Sequence, residues 1–541
     1  MHLFLYGPPG SGKSTIGRQL ARRLHQPFVD LDAVIETTAN QKICEIFAKE
    51  GEAGFRARER AALLEVIAGP SAVIGLGGGA LLNPENRAQA EATGEILCFD
   101  ADVATLEARI ARAPGVRPLL NTAPQSGSHP VAKGKPIAQL LAERSEHYAS
   151  FPRRVKVSDR PLEETTDAVQ CALGLFHLAG MGPSYEVRVG HGLIDSLGLC
   201  HQGLDCGDRT VIVGDSHTLP RYGEQAAAAL RAVGVTVSFA EIPAGETHKT
   251  IETIGQLWSA FLQAGIERRH AVIALGGGVV GDLVGFAAAT WLRGIRWIGV
   301  PTTLLSMVDS SLGGKTGADL PEGKNLIGAF HPPTRVLADT ATLATLPTRE
   351  LRCGLAEVIK HAVIGDPGLL DLLTPFTACC AQADEVACAT LAEAEWLASF
   401  VSRALAVKAR IILEDPFEKG VRAALNLGHT LGHGIEKASG FTVQHGEAVA
   451  IGTVLEARLA EALGLATPNF ADQLAAFFRQ VNLPVDLPSG IDCQAVRQAM
   501  SLDKKKSNGI VRFALPAALG DVRTGIAVDE ALLARVLPEP A

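Results

Sequence analysis

Three histidines crowd the stretch Val421–Glu447, which reads VRAALNLGHTLGHGIEKASGFTVQHGE. His429 and His433 stand four apart, so on a helix running to about Lys437 both leave one face, a turn from each other. That spacing suits two imidazoles converging on a divalent cation, and His445 follows after a glycine-containing turn. Taken singly, each reads as a packing or surface histidine. Together, on an apolar and glycine-rich background, they point to a metal site. A catalytic metal takes three protein ligands and keeps a position open for water or substrate, so a carboxylate is expected from elsewhere. Glu357 fits, because it lies in the apolar helical segment GLAEVIKH (354–361), where an unpaired charge would be costly.

A second chemistry opens the chain. His2–Tyr6 is a short apolar strand, and GPPGSGKST (7–15) follows it directly, the GxxxxGK[ST] pattern in its strand–loop–helix setting. Backbone N–H groups of Gly10, Ser11, Gly12, Lys13, Ser14 and Thr15 are expected to cradle the phosphates of ATP, aided by the helix N-terminus. Lys13 should reach the β- and γ-phosphates, and the Ser14 hydroxyl should sit on Mg²⁺.

The residues after the loop narrow the choice among nucleoside triphosphatases. FVDLDAVIE (28–36) is a strand ending in Asp30 and Asp32; GFRARE (54–59) comes next; a strand over 72–75 enters Gly77-Gly78-Gly79; RPLL (117–120) and ERSEHY (143–148) complete the set. In this order they resemble shikimate kinase over roughly residues 1–175. The resemblance implies that Asp32 meets the diol of shikimate as a catalytic group and that Arg56 and Arg144 hold its carboxylate. It also implies that Gly78 and Gly79 close the pocket through their backbone, and that Arg117 rides on a lid over the ATP phosphates. The physics agrees: a carboxylate accepts paired contacts from arginine, and an aspartate beside a hydroxyl can orient it or take its proton. Pro8-Pro9 departs from the family loop, and the segment 121–142 is longer than the family lid.

These groups need elements to carry them. Phe151–Asp159 reads as a last strand and Glu163–Leu178 as a closing helix, with AGMGP (179–183) as a joint, which places a boundary near 180. From 184 to 345 strands and helices alternate: a strand ends at Asp215, and another, Val272–Leu275, runs into GGGVVGD (276–282). That rhythm is a doubly wound dinucleotide fold. From 346 onward the composition turns helical, rich in alanine and leucine. The expected fold class is α/β throughout: a P-loop kinase domain with a parallel sheet over 1–178, a Rossmann-like NAD-binding domain over 184–345, and a mainly helical metal-binding domain over 346–541.

GGGVVGD, PTTLLSMVDSSLGGKT, GKNLIGAF, GLAEVIKH, LNLGHT and HGEAVA, in this order, resemble 3-dehydroquinate synthase from about residue 184 to the end. The resemblance implies zinc (or cobalt) on Glu357, His429 and His445, and makes His433 a substrate-side catalytic group, whereas spacing alone pairs His429 with His433. It implies NAD contacts at Asp215, Glu246, Lys249, Gly277, Gly278, Val279, Val280, Gly281, Asp282, Thr302, Thr303, Asp309, Lys315, Lys324, Thr342, Leu343, Ala344 and Thr345. Substrate phosphate and carboxylate would fall to Arg293, Asn325, Lys408, Arg422, Asn426 and one lysine of Lys504–Lys506, with Lys315, Lys360 and Glu418 among the catalytic groups. The reaction so implied oxidises the C5 hydroxyl of a seven-carbon phosphorylated sugar acid with bound NAD⁺, eliminates phosphate, reduces the ketone again and closes the ring by aldol attack.

Composition bounds the rest. With 541 residues, several domains are expected. Fifty basic against 58 acidic residues give a net charge of −8, which argues against nucleic acid or an anionic membrane as partner. The ten cysteines show no CxxC pattern, so reduced thiols and a cytoplasmic location are expected. The N-terminus lacks the basic start and cleavage site of a signal peptide. The expectation is therefore a bifunctional enzyme, homodimeric through its synthase half. Another sugar-phosphate cyclase, or a metal-dependent alcohol dehydrogenase, joined to a nucleotide-binding module without turnover is the alternative.

Overall fold

Alternation along β1 (His2–Tyr6) divides its side chains between two cores. The structure, a computed structural model, describes residues 2–112, 135–157, 160–179, 182–321, 323–381, 394–501, 506–507 and 510–537. Leu3 and Leu5 pack with Ile16, Leu20, Leu97 and Phe99 on one face, while Phe4 and Tyr6 pack with Leu31, Ile35, Ile74 and Phe151 on the other. A strand buried on both faces belongs in a parallel sheet with helices on each side. β2 (Phe28–Asp30), β3 (Val73–Gly75), β4 (Gly94–Asp100) and β5 (Arg154–Lys156) complete it in the order β2-β3-β1-β4-β5, all parallel. The loop Gly7–Gly12 leaves the end of the central strand and enters the helix Lys13–Arg23, the usual crevice for a ligand in such a sheet.

The chain divides into two units, Met1–Leu175 and Phe176–Ala541. Near the division the structure corrects the expectation of one helix over 163–178. The helix Leu162–Leu173 stops at Gly174, whose φ of 61° is left-handed, and LFHL becomes a strand with alternate side chains buried, β6 (Leu175–Leu178). A left-handed glycine ends a helix without the steric cost a side chain would bring.

The second unit is built on a seven-stranded sheet. β7 (Tyr185–Gly190), β8 (Arg209–Asp215), β9 (Thr236–Ile242), β10 (Ala271–Gly276), β11 (Arg296–Pro301) and, after a hairpin, β14 (Arg335–Asp339) join β6 in the order β6-β7-β14-β11-β10-β8-β9. From β7 to β9 the neighbours are parallel. The hairpin is β12 (Lys315–Leu320) with β13 (Gly323–Phe330), antiparallel. The residues beyond carry mainly helices: Thr348–Gly365, Ala394–Glu414, His429–Ala438, His445–Ala462 and Phe470–Gln480, with an antiparallel pair of strands, Ile510–Ala518 and Asp521–Ala527, packed among them. Leu427, Leu431, Ile435, Ile451 and Leu455 share this core with Phe513 and Leu515.

Among the described residues eight cysteines are free thiols, but Cys379 is disulfide-bonded, so the expectation of reduced thiols throughout does not hold there. Among the described residues no helix is long and apolar enough to cross a membrane. Arg117, residues 121–134 of the segment expected to form a lid, Lys504 and Lys505 lie outside the described residues, as does the side chain of Lys506.

Candidate functional site

Glu357, His429 and His445 come from three helices and converge, each offering one ligand atom within 4.8 Å of the others. Glu357 Oε1 lies 3.6 Å from His429 Nε2 and 3.4 Å from His445 Nε2. The far ring nitrogens are tied back: His429 Nδ1 meets the Leu427 carbonyl at 3.0 Å, and His445 Nδ1 meets Glu436 Oε2 at 3.2 Å. A carbonyl only accepts, so Nδ1 of His429 carries the proton and Nε2 presents its lone pair to the centre. Burial and the nearby Lys360 push the His429 pKa well down, keeping it neutral, while His445 is raised to about 10 because Glu357 and Glu436 outweigh the burial that opposes it. His433 is exposed and stands edge-on to His429, with ring centroids 5.4 Å apart. It is outside the Glu357 group and belongs to a second set with Glu436 and His445.

The residues fit a metal. Among the described residues no hydrogen-bond donor reaches the buried Glu357 Oε1, an expensive condition that a cation would relieve, and one carboxylate with two imidazoles suits zinc with an open position. Around it runs a buried network of balanced charge. Lys360 pairs with Glu357 and lies 3.8 Å from Asp309 Oδ1, while Lys408 reaches Asp309 Oδ1 at 2.8 Å and the Asp309 carbonyl at 2.7 Å. Burial would raise both carboxylates, but the lysines override it and hold Glu357 and Asp309 below their ordinary range. Burial lowers Lys408 despite Asp309, whereas Lys360, facing both carboxylates, is raised against its own burial. Asp309 sits in a single π-helical turn, Ser306–Ser310, a distortion that recurs at functional sites.

At the rim, Lys315 Nζ pairs with Glu418 Oε2 at 2.5 Å, and Asn426 Nδ2 donates to Glu418 Oε1 at 3.0 Å. The buried Arg422 donates to the Pro416 carbonyl at 2.5 Å. These residues come from the hairpin and the turn after the helix Ala394–Glu414, so the structure gathers Lys315, Glu418, Arg422 and Asn426 on two adjoining loops. Arg293 does not join them: it is exposed, in left-handed backbone at φ 70°, and among the described residues makes no hydrogen bond or ion pair to this set.

The glycine loop lies at the end of β10. Gly277 precedes the helix Gly278–Thr290, which carries Val279, Val280, Gly281 and Asp282 in its first turns. Gly276, Gly277, Gly278, Asp282, Ser310 and Lys315 line one cavity. Lys249 Nζ meets Asp282 Oδ2 and Asn325 Oδ1, both at 2.6 Å, and Lys324 Nζ lies 3.3 Å from Glu246 Oε1. The Asp215 carboxylate accepts from the backbone N–H groups of His217 and Thr218 at 2.9 and 2.8 Å. Thr302 N–H donates to the Gly276 carbonyl at 3.0 Å, tying the loop after β11 to the loop after β10, and Thr303 Oγ1 pairs with Ser306 Oγ at 2.9 Å. Thr342–Thr345 form the end of a 3₁₀ helix, with the Thr342 and Thr345 carbonyls accepting from Tyr222 and Arg221.

In the first unit Lys13 is folded back onto its own loop, donating to the Gly7 and Pro8 carbonyls at 2.8 and 2.9 Å, and Ser14 Oγ donates to Asp30 Oδ2 at 2.7 Å. Asp32, Arg56 and Arg144 all meet the Gly77–Gly79 loop. A Cβ on Gly77 would lie 3.3 Å from Asp32 Oδ1, and one on Gly79 would lie 2.5 Å from Arg56 Nη2, so a side chain at Gly79 would displace the guanidinium from its present place. Arg144 Nη1 donates to the Gly78 carbonyl at 3.0 Å, joined by Tyr148 at 2.7 Å and Tyr6 at 3.3 Å. Three donors on one carbonyl fix the Gly78–Gly79 peptide plane. Burial and Asp30 raise the Asp32 pKa, against Lys13 and Arg56, which favours a group able to accept a proton.

Residues 239–353 match the 3-dehydroquinate synthase N-terminal family, 354–506 its C-terminal family and 9–172 the shikimate kinase family. The 3-dehydroquinate synthase of Synechococcus sp. is 45% identical over 359 residues, 65% of this chain and 95% of that protein. The chain belongs to the 3-dehydroquinate synthase family. Ahead of the synthase it carries a shikimate kinase domain. Among solved structures, 2-epi-5-epi-valiolone synthase from Streptomyces hygroscopicus subsp. jinggangensis, with NAD⁺ and Zn²⁺ bound, is 32% identical with a TM-score of 0.59, over 66% of this chain and 97% of that one. A 2-deoxy-scyllo-inosose synthase complexed with carbaglucose-6-phosphate, NAD⁺ and Co²⁺ is 26% identical with a TM-score of 0.60, over 67% and 99%.

Four carboxylates of this synthase–kinase chain escaped sequence reasoning as site residues. Asp30 holds Ser14, Glu59 pairs with Arg56 at 2.6 Å, Glu436 holds His445, and Glu456 accepts from the backbone that begins the His429 helix. The signal that singled out Glu357, a carboxylate within an apolar helical run, is present around Glu456 as well (AVAIGTVLEARLA, 448–460). Glu59 and Glu436 sit among polar neighbours in sequence and offered no such signal.

Proposed function

We propose that the chain is a bifunctional enzyme of aromatic-precursor biosynthesis. Its first unit phosphorylates shikimate to shikimate 3-phosphate with ATP and Mg²⁺. Its second converts 3-deoxy-D-arabino-heptulosonate 7-phosphate to 3-dehydroquinate and phosphate with NAD and zinc or cobalt. The observation that carries the second reading is the convergence of Glu357, His429 and His445 beside the Lys360–Asp309–Lys408 network. When bound, the metal supplies Lewis-acid polarisation of the substrate oxygens and the dinucleotide a reversible oxidation of its alcohol.

The chain's own residues do the rest. Lys408 spends two of its three donors on Asp309, leaving a third for an anionic substrate group. Lys315, Asn426 and Arg422 add cationic and amide donors where a phosphate and a carboxylate must be held. Burial of Lys360 and Lys408 excludes water and strengthens these contacts. His433, exposed beside His429, exchanges a proton with substrate, a role its contact with a metal-ligand histidine supports. In the kinase, Asp32 orients the attacking hydroxyl, Arg56 and Arg144 grip the carboxylate, and Lys13 turns from its loop carbonyls to the phosphates. The same reading carries a homodimer through the synthase unit and a cytoplasmic location.

The solved relatives include cyclases named for other products, so the acid group of the substrate is the point to test. Phosphate release is followed with the heptulosonate phosphate and with sedoheptulose 7-phosphate, which lacks the carboxylate. Turnover of the acid alone supports the synthase; preference for the sugar phosphate without the carboxylate overturns it. ATP consumption dependent on shikimate tests the kinase.

A further inference from the structure

One buried carboxylate stands between the metal ligands and the residues expected at the dinucleotide. Glu436 is 3% exposed on the helix His429–Ala438. Its Oε2 meets His445 Nδ1 at 3.2 Å, and its Oε1 meets Lys324 Nζ at 3.1 Å. Lys324 in turn lies 3.3 Å from Glu246 Oε1 and 4.6 Å above the Phe441 ring centre. His445 begins a helix, Lys324 is on β13, and Glu246 is on the turn after β9. A single side chain therefore links three segments distant in sequence, and with each oxygen committed it cannot follow one partner without leaving the other. Lys249, the next cation, sits 4.0 Å from Glu246 and is engaged by Asp282 at 2.6 Å, so it does not replace Lys324.

From this arrangement we infer that Glu436 is a positioning residue that couples metal occupancy to dinucleotide binding. The inference rests on the synthase reading, which puts Glu246 and Lys324 at NAD. A metal on the Nε2 side of His445 fixes the ring, the ring fixes Glu436, and Glu436 fixes Lys324 and through it Glu246. The dinucleotide then meets a turn already ordered, and less ordering entropy opposes its binding. Linkage makes the effect reciprocal: NAD⁺ tightens the metal by the same factor. A histidine ligand held through its other nitrogen is a common device. Here the holder is shared, and that sharing transmits the state of one site to the other.

The test titrates NAD⁺ calorimetrically into the full chain, zinc-loaded and chelator-stripped, for the wild type, Glu436→Gln and Lys324→Met. Zinc affinity is read separately by competition with a chromophoric chelator. In the wild type zinc should tighten NAD⁺ by about 5-fold or more. Glu436→Gln should bring that ratio near 1 and weaken zinc by about 10-fold or more. Lys324→Met should also bring the ratio near 1 yet leave zinc affinity as in the wild type, a split that general loosening of the fold would not produce. A wild type whose NAD⁺ affinity ignores zinc, or a Glu436→Gln chain that keeps the full ratio, overturns the coupling while the synthase reading stands. Should Glu436→Gln fail to fold, Lys324→Met decides, and retention of the ratio there overturns the coupling. A zinc-loaded wild type that binds no NAD⁺ overturns both.

Discussion

Gly428 donates its backbone N–H at 2.6 Å to Oε2 of Glu456, which stands on the helix that His445 begins. Glu456 is fully buried, and its other oxygen accepts from Leu431 N–H at 3.4 Å, so one carboxylate closes the N-terminus of the helix that His429 opens. Negative charge at a helix N-terminus is favourable. Gly428 is left-handed at φ 77°, and a Cβ there would collide with Thr453 Oγ1, so the two helices approach closely only because it is glycine. Glu456→Ala should cost roughly 1–3 kcal/mol through the N–H groups left unsatisfied and should lower zinc retention, because His429 loses its anchor. Thermal unfolding and metal analysis of the purified variant check both. Full zinc occupancy with reduced stability would limit Glu456 to a fold-supporting role.

His429 and His433 share a helix face but not a ligand group. His429→Ala should purify with little zinc, whereas His433→Ala should keep close to one zinc per chain. Both should lose activity, the second by about 10²–10⁴ for a lost proton-transfer group. Metal analysis of the pair decides the matter, and equal zinc loss would make His433 a ligand.

Lys13 donates to two carbonyls of its own loop, and the kinase unit ends near Leu175. Lys13→Ala removes the cation at the transferred phosphate, so kinase turnover should fall by about 10² or more. Phosphate release by the synthase should be unchanged. A parallel fall in both activities would show that the two reactions depend on one another.

His201 supplies a pH test. It is fully buried, both ring nitrogens lack a partner among the described residues, and burial, with His270 and Arg296 nearby, lowers its pKa from 6.5 to about 4. The folded chain thus binds fewer protons than the unfolded chain between those values, and stability falls as pH drops from about 6.5 toward 4. His201→Phe should flatten that part of the profile without altering stability above pH 7 by a comparable amount. All four tryptophans (Trp258, Trp291, Trp297 and Trp396) lie in the second unit, so urea unfolding followed by their fluorescence reports on it alone. Identical slopes for variant and wild type between pH 6.5 and 4 would remove His201 as the cause.

The phosphate loop was legible because its chemistry is local: Gly7–Thr15 must be consecutive for backbone N–H groups to surround a phosphate, and the strand before it is a short apolar run. The helix break at Gly174 was not, since LFHL suits a helix as well as a strand until a sheet edge is available to pair it.

By itself, then, the order of residues determined which groups could bind phosphate, dinucleotide and metal, and the periodicities that put β10 and its glycine loop in a parallel sheet. Only the tertiary structure decided how those groups are held. Spacing could pair His429 with His433, but Glu357 reaches His429 and His445 because the helices carrying them pack in one core, a contact spanning residues 357–445 that no local rule contains. Likewise, Glu436 and Glu456 look alike as carboxylates on helices, yet one spans His445 and Lys324 while the other closes a helix end. A buried charge takes its role from the partner that makes its burial tolerable, and that partner is chosen by the fold.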